Sequence, residues 1–95
     1  MRAYETMYIV RPQVEGEALE AVVEKFKKIV EDGGGTVVSI DRWGKRRLAY
    51  PIEKEREGQY IVMRFQAEPP VVQELDRVFK ITGDVLRHII VREDE

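Results

Sequence analysis

A two-layer α+β sandwich with a single four-stranded sheet is the fold class that this chain predicts. Three observations point to it: four segments alternate like strands, two carry an apolar stripe at helical spacing, and their order is β-α-β-β-α-β. Each helix must bury its stripe, and one sheet face can cover both. With 95 residues, the chain forms one domain over 1–95 with a modest core. Its 43% apolar and 36% charged residues are too apolar for a disordered chain. No apolar run reaches the roughly 18–20 residues that a bilayer-spanning helix needs. The opening Met1-Arg2-Ala3-Tyr4-Glu5 lacks the charged head and apolar stretch of a secretory signal, so none is expected in the numbered chain.

The first strand covers residues 3–10, with Tyr4, Thr6, Tyr8 and Val10 on one face and Glu5, Met7 and Ile9 on the other; Pro12 stops it. Glu17–Asp32 is a helix whose stripe is Leu19, Val22, Val23, Phe26, Ile29 and Val30, closed by Gly33-Gly34-Gly35. The second strand runs over 36–43. Gly44 permits a bend or bulge, residues 47–50 continue the strand, and Pro51 marks it as an edge. The charged stretch 53–58 reads as a hairpin loop with solvated carboxylates. Residues 59–67 form the third strand, with Ile61, Met63 and Phe65 inward. Pro69-Pro70 opens the second helix, which buries Val71, Val72, Leu75, Val78 and Phe79 and closes at Thr82-Gly83. Val85–Arg92 is the last strand; its two faces are not distinguished by pattern, and residues 93–95 should fray. This order defines the ferredoxin-like split β-α-β sandwich, an antiparallel sheet with two helices on one face. Right-handed crossovers put the first and third strands at the centre and the second and fourth at the edges. The open face would then present Tyr4, Tyr8, Tyr60 and Arg64.

The chemistry available is limited. There is no cysteine and only one histidine, His88, so no metal centre or thiol nucleophile is expected. The triple glycine follows a helix and precedes a strand, the reverse of a phosphate-binding loop. The net charge is −2, yet residues 42–64 hold seven cations against three carboxylates and so stand at +4, with the remainder at −6. A local basic segment can attract phosphate within a Debye length of about 10 Å even on a slightly acidic chain. A charged strand edge also resists aggregation. Within that segment, Arg42-Trp43-Gly44-Lys45-Arg46-Arg47-Leu48-Ala49-Tyr50-Pro51-Ile52 interleaves four cations with two aromatics. Arginine forks onto phosphate and stacks on bases, and aromatics offer planar faces. Trp43 and Leu48 fit a core role equally well.

The stretch Trp43-Gly44-Lys45-Arg46-Arg47-Leu48-Ala49-Tyr50-Pro51-Ile52 resembles the signature of the bacterial small-subunit (30S) ribosomal protein six family. The start of the chain, Ile9-Val10-Arg11-Pro12, the third strand from Gly58 and Val85-Leu86-Arg87-His88 extend the resemblance along nearly the whole chain. It implies a non-enzymatic constituent of the small ribosomal subunit, cytoplasmic and without cofactor, metal, membrane or small-molecule substrate. It further implies binding to the central domain of 16S ribosomal RNA as a heterodimer with small-subunit ribosomal protein eighteen. By resemblance, Arg2, Tyr4, Arg46, Arg47, Tyr50 and Arg87 are RNA-side candidates, and Lys45, Lys54 and His88 join them as RNA- or partner-binding residues. Two alternatives share the fold. One is an RRM-like single-strand RNA-binding module using Tyr4 or Tyr8, although the third strand lacks that family's glycine-aromatic pattern. The other is a small-molecule-binding regulatory domain working through glycine-containing loops.

Overall fold

The computed structural model describes residues 1–93. Its elements are β1 (Arg2–Val10), α1 (Glu17–Asp32), β2 (Thr36–Ile52), β3 (Glu55–Ala67), α2 (Pro69–Ile81) and β4 (Val85–Arg92). The strands form one antiparallel sheet in the order β2-β3-β1-β4, so β1 and β3 are central as expected. Acidic Glu17 and Glu20 occupy the first turn of α1, where the helix dipole favours them. At its other end the amides of Gly33, Gly34 and Gly35 donate to the carbonyls of Ile29, Glu31 and Val30. The triple glycine thus serves to terminate its own helix.

The main core lies between the helices and one face of the sheet. Tyr8, Phe26 and Phe79 meet there, with ring centroids 4.2–5.1 Å apart. Ile61, Met63 and Phe65 point into it, as their alternation predicts. Tyr4 and Tyr8 correct the expected open face: both are buried beneath the helices, at 8% and 0% exposure. Alternation grouped Tyr4, Thr6, Tyr8 and Val10 correctly, but their common side is the helical one. The opposite side carries Glu5, which stays at the surface and accepts a 2.8 Å hydrogen bond from Arg64. Tyr60 and Arg64 do lie on the open face, beside Met7 and Ile9. On β4, the register with β1 resolves the ambiguous faces: His88 and Ile90 face the helices, and Arg87, Ile89 and Val91 the open side.

Two further differences concern the hairpin and the C-terminus. The loop expected over 53–58 is a two-residue turn, Glu53-Lys54, with Ile52 opposite Glu55. Both turn residues have positive φ, 48° and 70°, as a tight primed hairpin turn requires. The usual Asn-Gly signal is absent, so the sequence pattern suggests a longer loop. Of the residues expected to fray, Glu93 donates its amide to the Ala3 carbonyl at 2.9 Å, and 94–95 lie outside the described residues.

A smaller core sits on the open face, where Ile9, Leu48 and Leu86 are buried against Ile52 and Tyr60. Gly58 underlies it: a Cβ there would fall 2.2 Å from Ile9 Cγ2. Gly58→Ala should therefore destabilise the protein by about 1–3 kcal/mol through overpacking, read as a lower urea midpoint. The Tyr8 hydroxyl has no hydrogen-bond partner among the described residues. Removing it in Tyr8→Phe should raise stability by about 1 kcal/mol, and a lower melting temperature would show that the hydroxyl is satisfied.

Candidate nucleic-acid interface

The β2–β3 hairpin is shaped by breaks in its ladder. Arg42 opposes Ile61 and Gly44 opposes Tyr60, so Trp43 is an extra residue, and Gly44 takes the φ of 77° that this bulge uses. Beyond Arg47↔Glu57 the next pair is Ile52↔Glu55, leaving residues 48–51 against Arg56 alone. This surplus of β2 bows over the open face. Leu48 reaches the small core with Ile9 and Leu86, and Tyr50 reaches β4, although two strands separate β2 from β4. Arg87 hydrogen-bonds the Tyr50 hydroxyl, and its guanidinium lies 5.8 Å from that ring.

Trp43 corrects the core reading offered for it. It is 48% exposed, nearly parallel to Tyr60 at 6.2 Å, with the Arg46 guanidinium 5.4 Å from its ring. Leu48 is buried, as that reading required. Arginines and aromatics therefore line the open face as planar, partly exposed groups: Arg46, Trp43 and Tyr60 at one side, Tyr50 and Arg87 at the other. Groups of this kind are chemically suited to stacking on planar ligands and to hydrogen-bonding phosphate.

Charge pairing divides the cations of the segment into two sets. Arg42 holds Glu20 at 2.6 Å, Lys45 holds Glu15, and Arg64 holds Glu5. The Glu5 hydrogen bond raises the Arg64 pKa further. Arg46, Arg47, Lys54 and Arg56 engage no carboxylate among the described residues. They cluster on the outer half of the hairpin. Glu53 and Glu55, expected to be merely solvated, are held by Arg11 at 2.6 and 3.6 Å.

The candidates thus fall into separate places. Arg46, Arg47, Tyr50, Lys54 and Arg87 come together around the hairpin. Lys45 sits on its inner half, tied through Glu15 to the connection that leads into α1. Arg2 and Tyr4 lie at the other end of β1, opposite Ala67 and Phe65, roughly 20–25 Å from its hairpin end by strand rise. His88 lies on the helical side, stacked on Phe79 at 4.7 Å and 2.7 Å from Asp76. Sequence reasoning missed Arg11, Arg56 and the exposed apolar pair Ile89 and Val91 on the open face of β4. The signal for Arg11 was its position between a strand end and Pro12, with the carboxylates Glu53, Glu55 and Glu57 spaced two apart elsewhere in the chain. With Tyr4 and Tyr8 under the helices, the RRM-like alternative loses its first-strand stacking platform. Among the described residues no cluster suited to a metal is present, and no helix is long and apolar enough to cross a membrane.

Comparison with known proteins gives a consistent result. Residues 3–92 match the family model described as ribosomal protein S6. The small ribosomal subunit protein bS6 of Desulforamulus reducens is 56% identical over 95 residues, covering all of both chains. That of Carboxydothermus hydrogenoformans is 53% identical over all of this chain and 99% of its own. Among solved structures, the 30S ribosomal protein S6 of Thermotoga maritima superposes with a TM-score of 0.91 at 36% identity, covering 97% of this chain and 87% of that one.

The placement of His88 leads to a pH test. Its hydrogen bond, with that of Lys80, holds the Asp76 carboxyl below the ordinary aspartate range. A carboxyl that titrates lower in the folded than in the unfolded chain stabilises above its unfolded pKa, and that contribution is lost as the pH falls through the depressed value. Asp76→Asn should lower the urea midpoint near neutral pH and lose its effect in strong acid. A difference from the unaltered protein that stays constant across the acid range would remove Asp76 from this linkage.

Proposed function

The chain belongs to the ribosomal protein S6 family, and from that premise we propose that it binds the central domain of 16S ribosomal RNA jointly with small-subunit ribosomal protein eighteen. As a member of that family it is a structural, non-enzymatic constituent of the small ribosomal subunit and works in the cytoplasm. The RNA reading is carried by one observation: Arg46, Arg47, Lys54 and Arg56 stand without carboxylate partners among the described residues on the outer half of one hairpin, while Arg42 and Lys45 beside them are neutralised. Unpaired cations on an exposed edge meet backbone phosphates and release counterions, which supplies affinity without reading sequence.

The protein partner is assigned to the open sheet face. Ile89 and Val91 are exposed there beside Met7 and Tyr60, with Tyr50 and Arg87 at the margin. An aliphatic strip gains nothing from phosphate but is suited to the core of a protein interface, where aromatics and arginine are also enriched. A net charge of −2 leaves the chain few spare cations, so RNA binding should tighten when the partner adds its own surface.

Arg46→Ala/Arg47→Ala should weaken binding of the heterodimer to a central-domain RNA fragment. The slope of log affinity against log salt should become shallower by about one for each phosphate that is no longer neutralised. An unchanged slope would take both arginines off the RNA. An RNA that binds neither this chain nor the pair, with the protein folded, would overturn the reading as a whole.

A further inference from the structure

Arg11 directly follows β1, and its guanidinium is engaged on three sides. Nε donates to the Gly83 carbonyl at 2.8 Å, one terminal nitrogen donates to Glu53 Oε1 at 2.6 Å, and the other lies 3.6 Å from Glu55 Oε2. Its backbone amide donates to the Asp84 carbonyl at 2.9 Å. Gln13 adds a second tie, with Nε2 donating to Glu55 Oε1 at 3.3 Å. One side chain therefore joins the β1–α1 connection, the tip of the β2–β3 hairpin and the α2–β4 loop.

The hairpin tip needs an outside tie. Residues 48–51 have only Arg56 opposite them, so the ladder is interrupted just below the turn. Glu53 and Lys54 both hold left-handed backbone, at about 1–2 kcal/mol for each non-glycine residue. The tip also carries Lys54 and Arg56, two of the hairpin's cations without a carboxylate partner among the described residues, with Arg47 just beneath it. A phosphate-binding surface made of long flexible side chains gains from a fixed backbone, since less freedom is lost on binding.

From this juxtaposition we infer that Arg11 is a positioning residue for the RNA-binding hairpin: by bridging Glu53 and Glu55 to the α2–β4 loop, it fixes the tip so that Arg47, Lys54 and Arg56 face RNA as one prearranged surface. The inference rests on the RNA-binding reading of this hairpin. Only a planar fork can serve both carboxylates and the Gly83 carbonyl together; an ammonium on a lysine stem is a point charge and does not reproduce that bridge.

The decisive variant is Glu53→Gln/Glu55→Gln, because two expectations for it have opposite signs. Removing two carboxylates from beside a basic surface should tighten RNA binding if only charge matters. If the carboxylates act as the anchor for Arg11, binding of the heterodimer to the central-domain fragment should weaken, by about three- to tenfold. Amide hydrogen exchange of the free protein should quicken over residues 49–57, while β1, α1 and α2 keep their protection. Arg11→Lys, which keeps the charge without the fork, should behave in the same way. Equal or tighter binding by the double variant, or binding by Arg11→Lys as tight as that of the unaltered protein, would overturn the inference. So would faster exchange spreading through β1 and both helices, which would make Arg11 a general structural residue. Failure of the unaltered protein and its partner to bind the RNA would overturn the parent reading instead; the exchange pattern alone would then decide whether the tether exists.

Discussion

The contact of Tyr8 with Phe26 and Phe79 joins the two layers, and the rest of the molecule depends on it. Tyr8 comes from a central strand, Phe26 from α1 and Phe79 from α2, so one three-ring cluster fixes both helices to the sheet at once. Aromatic pairs of this kind add to the area they bury, and their geometry restricts how the layers can slide. By committing Tyr4, Thr6, Tyr8 and Val10 to the helical side, the cluster also decides what the other side of β1 shows: Glu5, Met7 and Ile9. The open face is the complement of the core, residue by residue.

That face is not left bare. The surplus residues of β2 fold onto it, and Leu48 closes a small second core over Ile9 and Leu86. Gly58 gives Ile9 the room to lie flat, so a residue without a side chain helps to decide where the hairpin rests. With the hairpin anchored there, its aromatics and unpaired arginines stand beside the aliphatic strip of β4. Two kinds of surface, one suited to a polyanion and one to a protein, share a border along Tyr50 and Arg87.

The element order, the strand order and most of the core were legible in the sequence, because they follow from period and from chain-crossing rules. The stripe of α1 and the inward set Ile61, Met63 and Phe65 came from periodicity alone. Which side of β1 faces the helices was not legible: a period of two separates faces without saying which is covered. The turn at Glu53-Lys54 was hidden because neither residue type favours positive φ, so the local pattern ran against the backbone that tertiary contacts impose. The same applies to Arg11, whose partners lie 42 and 72 positions away in the chain. The basic segment was visible as composition, whereas telling its carboxylate-bound cations from the others needed the positions of Glu5, Glu15 and Glu20, which lie far from it in the chain.

The bulges of β2 have a consequence for the chain before it meets any partner. An edge strand presents its outward amides and carbonyls at a regular repeat, and another chain's strand can zip onto that repeat. In β2 the repeat is broken three times, between Val37 and Ser39, between Arg42 and Gly44, and between Arg47 and Ile52, and Pro51 removes a donor. This edge therefore offers another copy no continuous template for adding a strand. The irregularity that lifts Tyr50 over the sheet thus also guards this edge against strand-by-strand addition.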